Sequence, residues 1–212
     1  MELLDRISEC LQHGDNTTVA DLTRQAIDAG IPATDILDRG LLAGMDVVGE
    51  RFGAHEIFLP EVLLAARAMK AGMDLVKPLL VTGDEPSRGK IVLGTVKGDV
   101  HDIGKNLVGI MLEGAGFDVV DLGTGVTPDA FVDTAISEGA SVIGLSALLT
   151  TTMSGMRDVI DIIQERGHRN KLRVIVGGAP VSQDYADQIG ADGYSYDAAG
   201  AVELVKNLVG AA

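Results

Sequence analysis

From residue 90 onward, short apolar runs alternate with segments of helical length and polarity, and no other feature constrains the fold as tightly. The runs are Ile91 to Val96, Phe117 to Leu122, Ser141 to Leu145, Leu172 to Val176 and Gly193 to Tyr196. Each has the length of a strand, and most are followed by enough chain for a helix. Strands joined through helix-length crossovers lie parallel, and right-handed crossovers distribute the helices over both faces of the sheet. The expectation is a five-stranded parallel α/β domain of flavodoxin-like, or Rossmann-like, architecture.

The first part of the chain follows a different pattern. From Met1 to about Pro78 apolar residues recur at helical spacing, with no alternating stretch that would suit a strand. Thr17 or Thr18 is placed to cap a helix that ends at Gly30, and Pro32 falls in the first turn of the next, which carries Leu37, Leu41, Met45 and Val48. After a break around Phe52 to Phe58, Pro60 opens a helix through Val62, Leu63, Ala66, Met69, Met73 and Val76 that Pro78 terminates. The expectation is an all-α four-helix bundle over residues 1–82. Residues 83–89 are polar and rich in turn formers and read as a linker, which leaves 90–212 as the α/β domain. Leu208 to Ala212 are expected to be a frayed helix end.

Charge narrows the partners. With 31 acidic against 17 basic residues the net charge is −14, which repels nucleic-acid phosphates and anionic lipid headgroups alike. Neither nucleic acid nor membrane is an expected partner. Cys10 is the sole cysteine, so no internal disulfide can form, and no N-terminal stretch has the pattern of a signal peptide or membrane span. The chain reads as cytoplasmic.

In an open doubly wound sheet, ligands bind beyond the carboxyl ends of the strands where strand order reverses, which in a flavodoxin-like order lies between the first and third strands. The first strand leads into Gly98-Asp99-Val100-His101-Asp102-Ile103-Gly104 and the third into Ser146-Ala147-Leu148-Leu149-Thr150-Thr151-Thr152. Two polar clusters therefore meet at one rim. The first loop lacks Gly-x-Gly-x-x-Gly and the Gly-Lys-Ser/Thr ending of a P-loop, so neither phosphate-binding fingerprint is present. It offers instead an imidazole two residues after a carboxylate and three before a glycine. Such an imidazole can bind a metal through one ring nitrogen while the other donates to Asp99, which fixes the tautomer and raises ligand basicity. Gly104 lets a bulky ligand approach the backbone. His101 as a cap for the following helix is the competing reading. A zinc site needs three or four protein ligands, and His13, His55 and His168 are scattered without cysteine partners. A metal held by one protein ligand must bring its remaining coordination with it, which points to a macrocycle.

With these residues the chain resembles the corrinoid proteins of cobalamin-dependent methyltransferase systems, and it is similar also to the cobalamin-binding module of methionine synthase. In that family Asp-x-His-x-x-Gly, Ser-x-Leu and Gly-Gly motifs follow strands one, three and four; here they read Asp99/His101/Gly104, Ser146/Leu148 and Gly177/Gly178. The resemblance implies that the lower nucleotide base leaves the cobalt and enters a groove lined by small residues, Gly177, Gly178 and Ala179 among them. His101 then takes its place as lower cobalt ligand. Gly98, Val100, Asp102 and Ile103 in the same loop, and Thr150 beyond strand three, are implied cofactor contacts. Gly44 to Phe52, followed by Phe58-Leu59-Pro60-Glu61-Val62, is similar to the cap over the upper corrin face, with Phe52, Leu59 and Val62 matching its apolar shield. Ordinary core packing is the alternative for these three. An apolar lid excludes water and oxygen, and it must move aside for transfer. The serine that completes an Asp-His relay in the methionine synthase module falls here on Thr152, which keeps the hydroxyl but adds a methyl and a stiffer χ1.

The resemblance implies a methyl carrier whose cobalamin alternates between methylcobalamin and Co(I). A substrate-specific methyltransferase delivers the methyl group, an acceptor methyltransferase passes it to a thiol or tetrahydrofolate-type acceptor, and a reductive activator rescues Co(II). The chain is then a subunit of an enzyme system with no complete active site of its own, supplying orientation and electrostatics to the cofactor. A cobalamin-dependent mutase subunit carries similar motifs but lacks the helical cap. A B12-sensing regulator of the DNA-binding kind needs a basic recognition helix, which the sequence lacks, while one that acts through protein partners alone stays open. A cofactor-free flavodoxin-like domain leaves three motifs unexplained.

Overall fold

The structure, a computed structural model, describes residues 2–80 and 88–210. Residues 83–87 of the expected linker, and Ala211 and Ala212 of the expected frayed end, lie outside the described residues. The described residues form two compact units, within Met1–Ser87 plus Gly114–Gly116 and within Arg88–Glu113 plus Phe117–Ala212. Among them no helix is long and apolar enough to cross a membrane.

The first unit consists of α1 (Leu3–Gln12), α2 (Asn16–Asp28), α3 (Ala33–Asp35), a π-helical segment (Ile36–Leu42), α4 (Ala43–Gly53) and α5 (Leu59–Val76), closed by a 3₁₀ turn at Lys77–Leu79. α3, the π segment and α4 run on without a break, so four helical rods result. α5 packs along α2, and α1 packs on α2, the π segment and α4. The cap of α2 is Asp15 rather than Thr17 or Thr18. Its carboxylate accepts from the Thr18 backbone N–H at 3.0 Å and from the Thr18 hydroxyl at 2.6 Å, because a negative charge suits the helix N-terminus better than a neutral hydroxyl. Pro32 sits one residue before α3 instead of within its first turn.

The π segment has a cause in the sequence. Ile36, Gly40, Gly44 and Val48, and beside them Leu37, Leu41 and Met45, are buried at a strict spacing of four. In an α-helix each step of four overshoots a turn by about 40°, so such a stripe winds off the core face. The wider turn of i→i+5 bonding takes up the overshoot. A regular helix there was the expectation from the sequence; the four-residue spacing was the signal against it.

In the second unit β1 (Lys90–Thr95), β2 (Asp118–Asp121), β3 (Val142–Ser146), β4 (Arg173–Gly177) and β5 (Gly193–Ser195) form one sheet in the order β2-β1-β3-β4-β5. Every pairing is parallel. The helices between and after them are α6 (Ile103–Gly114), α7 (Pro128–Ser137), α8 (Ser154–Glu165), α9 (Gln183–Ile189) and α10 (Ala198–Gly210). β1, β3 and β4 are covered on both faces and are accordingly Val, Ile and Leu along most of their length. β2 lies at an edge and reads Asp-Val-Val-Asp, with charges at both ends that discourage further strand addition. Phe131 of α7 and Met156 and Ile160 of α8, all fully buried, join Val92, Ile143 and Val174 of the sheet in one core. That core holds the strand ends, and therefore the loops beyond them, in fixed register.

Candidate cofactor site

Strand order reverses between β1 and β3, which lie side by side with Thr95 opposite Ser146. The loop after β1, Gly98 to Gly104, and the loop after β3, Ala147 to Thr152, therefore leave the sheet next to each other. Asp99, fully buried, joins them. Its Oδ1 accepts from the His101 backbone N–H at 3.1 Å and lies 2.7 Å from His101 Nδ1. Its Oδ2 accepts from the backbone N–H groups of Leu148 at 2.8 Å and Leu149 at 3.1 Å and from the Thr152 hydroxyl at 2.8 Å. Burial opposes the charge, but these donors, with the His101 ring first among them, outweigh it and hold the Asp99 carboxyl well below the usual carboxylate range.

An ionised carboxylate can only accept hydrogen bonds, so Nδ1 of His101 carries a proton, and in the neutral ring the lone pair is then on Nε2. The His101 side chain is half-exposed, and Nε2 has no hydrogen-bond partner among the described residues. His101 does not cap α6: its Nδ1 is engaged by Asp99, and the first intrahelical bond runs from Asn106 N–H to the Asp102 carbonyl at 2.7 Å. Thr152 Oγ1 lies 2.8 Å from the Leu149 carbonyl as well as 2.8 Å from Asp99, so one hydroxyl proton faces two acceptors. Among the described residues no group of three His, Cys, Asp or Glu could hold a metal ion.

The surroundings fit a large ligand with an apolar face. Val100 is 75% and Ile103 81% exposed, and exposed Leu148, Leu149 and Tyr196 stand beyond β3 and β5. Five large apolar side chains exposed at the carboxyl ends of the strands form the kind of surface that a ligand covers. Gly104 lies within α6, where alanine is the better helix former, and a Cβ there would meet nothing within 4 Å. Nothing in the chain itself requires glycine at that point. Gly178 is different: its φ is +128° and a Cβ would lie 1.9 Å from the Ala147 carbonyl oxygen. The end of β4 has to pass that close to β3, and a Cβ on Gly177 would likewise crowd the Ser195 carbonyl at 3.2 Å. This pair, read from the sequence as groove lining, has its first cause in packing within the sheet. Gly98 takes a positive φ of +84° in the turn before Asp99. Ser146 ends β3, Thr150 is exposed in the loop beyond it, and Ala179 is exposed after β4.

In the helical unit Phe52 is half-buried and Leu59 is partly exposed, but Val62 is fully buried and presents no surface. Phe58, absent from the sequence-based set, is 66% exposed. It precedes α5, and its backbone N–H donates to Glu61 Oε2 at 3.1 Å. Sequence reasoning also missed Leu149, which acts through a backbone N–H, and Thr95, whose hydroxyl donates to the His101 carbonyl at 2.9 Å. For Thr95 there was a signal: a polar residue closing an apolar strand.

A doubly wound sheet with a half-exposed imidazole at its switch point, an open glycine beside it and an apolar rim fits a protein that holds a metal-bearing macrocycle. Residues 89–203 match a family model described as a B12 binding domain, and residues 3–77 match a second model with the same description. A corrinoid protein of Desulfitobacterium hafniense (strain Y51) is 44% identical over 213 residues, spanning 99% of each chain. Dimethylamine corrinoid protein 2 of Methanosarcina acetivorans is 44% identical over 209 residues, 98% of this chain and 96% of that one. The structure of the methanol:cobalamin methyltransferase complex MtaBC from Methanosarcina barkeri superimposes with a TM-score of 0.88 at 32% identity, over 99% of this chain and 80% of that chain. A cobalamin-binding protein from Desulfitobacterium hafniense DCB-2 gives a TM-score of 0.80 at 33% identity, over 97% and 98%. The chain belongs to the corrinoid proteins of cobalamin-dependent methyltransferase systems, and its cofactor is a corrinoid.

Proposed function

We propose that the chain is a methyl carrier that holds cobalamin with the lower base displaced and His101 as lower cobalt ligand. The observation that carries this reading is the Asp99–His101 pair: Nδ1 is held 2.7 Å from a buried carboxylate while Nε2 stays free. When bound, the corrin supplies the cobalt centre at which a methyl group is accepted and released. The rest falls to the chain. Asp99 fixes the imidazole tautomer, and Leu148, Leu149 and Thr152 fix Asp99. Thr152 stands in for the relay serine, a role its 2.8 Å contact with Asp99 Oδ2 supports. Val100, Ile103 and Leu148 offer apolar surface to the macrocycle, and residues 1–82 serve as the cap, with Phe52 and Leu59 supplying apolar surface that excludes water.

The methyl donor is a small methylated amine or alcohol, the classes for which the relatives are named. A substrate-specific methyltransferase delivers the methyl group, an acceptor methyltransferase removes it to a thiol or tetrahydrofolate-type acceptor, and a reductive activator returns Co(II) to service, all in the cytoplasm. The test is to titrate the purified chain with cobalamin and record absorption spectra of the wild type and His101→Ala. Failure of the wild type to bind refutes the reading; an unchanged spectrum in the variant removes His101 as ligand.

A further inference from the structure

We propose that Thr95 is a positioning residue for the cobalt ligand, its hydroxyl fixing the loop that presents His101. The proposal rests on the reading of His101 as that ligand. It begins with an exception in β1. Ile91, Val92 and Leu93 within it and Val96 just beyond it are buried and apolar, as a central parallel strand requires, yet Thr95 among them is 0% exposed. Valine has the same shape and leaves no polar atom to satisfy, so a buried hydroxyl there needs a partner. The partner is the His101 carbonyl, six residues on, at 2.9 Å.

Thr95 is a fixed post. Its backbone N–H donates to the Gly123 carbonyl at 2.9 Å, and its carbonyl accepts from Val126 N–H at 3.0 Å. His101 is less secure without it. The His101 N–H and Nδ1 both converge on one atom, Asp99 Oδ1, and a residue held at a single point can pivot about that point. The Thr95 hydroxyl holds the opposite side of the residue, its carbonyl, and stops the pivot. Every polar atom of His101 except Nε2 is then engaged, so the ligand arm is set before cofactor arrives and little ordering remains for binding to supply.

Thr95→Val removes the hydroxyl and keeps the volume. Titrated with aquacobalamin alone and followed by absorption, it should bind about tenfold more weakly than wild type, the effect of losing the one hydrogen bond that holds the His101 carbonyl. A smaller fraction of the bound cofactor should show the imidazole-ligated spectrum. Thr95→Ser should restore both. In a His101→Ala background the Thr95→Val change should alter affinity by less than about twofold, because the residue acts through His101. Wild-type affinity and spectrum in Thr95→Val overturn the proposal, and so does a loss of equal size in the His101→Ala background, which would make Thr95 merely structural. Identical spectra for wild type and His101→Ala instead overturn the ligand reading itself. If Thr95→Val does not fold, Thr95→Cys, which keeps a small side chain but only a weak donor, carries the same comparisons.

Discussion

Asp99→Asn tests the electrostatic logic of the site with a change of one atom. In the wild type the carboxylate accepts from four protein groups and the His101 ring: the His101 N–H and Nδ1 on Oδ1, and Leu148 N–H, Leu149 N–H and the Thr152 hydroxyl on Oδ2. An amide has only one acceptor oxygen. Turned toward His101, that oxygen leaves the NH₂ against two backbone donors; turned toward Leu148 and Leu149, it leaves the NH₂ against one. The second arrangement is favoured, and it reverses the imidazole. Nδ1 must then accept from the amide, the proton moves to Nε2, and the ligand lone pair is lost.

The stability cost is one unpaired, half-buried N–H plus the charge assistance lost from three remaining bonds, offset by the smaller desolvation of a neutral side chain, or about 3 kcal/mol in all. For a chain of this size that is a fall of about 6–12 °C in melting temperature. Circular dichroism melts of the cofactor-free protein measure it, and absorption with cobalamin should show the spectrum of His101→Ala. The pH dependence has a definite sign. The folded Asp99 pKa lies below its ordinary value of about 3.9, so its contribution is complete above that pH and is lost as pH falls through the folded value. The gap between wild type and variant should be constant from about pH 5 to 8 and close below about pH 4. A variant that melts with the wild type at neutral pH, or keeps the imidazole-ligated spectrum, refutes the reasoning.

Two glycines separate packing from ligand binding. Gly178→Ala places a Cβ 1.9 Å from the Ala147 carbonyl at a φ of +128°; it should lose about 3 kcal/mol or more, read as a fall in melting temperature before any cofactor is added. Gly104→Ala meets no atom within 4 Å and lies in α6, so the cofactor-free protein should melt unchanged or slightly higher, by up to about 1 kcal/mol. Its cobalamin affinity should nevertheless fall by about tenfold, as a methyl group intrudes where the ligand approaches. Equal affinity in Gly104→Ala and wild type would show that this glycine is not there for the cofactor.

What the sequence disclosed and what it withheld divide along a physical line. Five parallel strands were legible because a strand covered on both faces has to be apolar and a crossover has to be long. The π segment was concealed because a spacing of four resembles helical spacing until its drift is followed from Ile36 to Val48. Asp99 and His101 were legible because side-chain chemistry is written in the residue letter. Gly104 and Gly178 carry the same letter for opposite reasons, open space at one and a carbonyl at van der Waals overlap at the other, and only the neighbouring strand distinguishes them.

The donors that fix Asp99 were the least legible part. Two of them are the backbone N–H groups of Leu148 and Leu149, and a backbone N–H has no letter. Any residue except proline at those positions supplies the donor, so the Ser146/Leu148 motif marks the place where the β3 loop turns under the carboxylate without naming the groups that bind it. It follows that substitutions of Leu148 and Leu149 should leave the Asp99 charge intact so long as the loop keeps its path, whereas Thr95, Asp99 and Thr152, which act through side-chain atoms, admit few replacements.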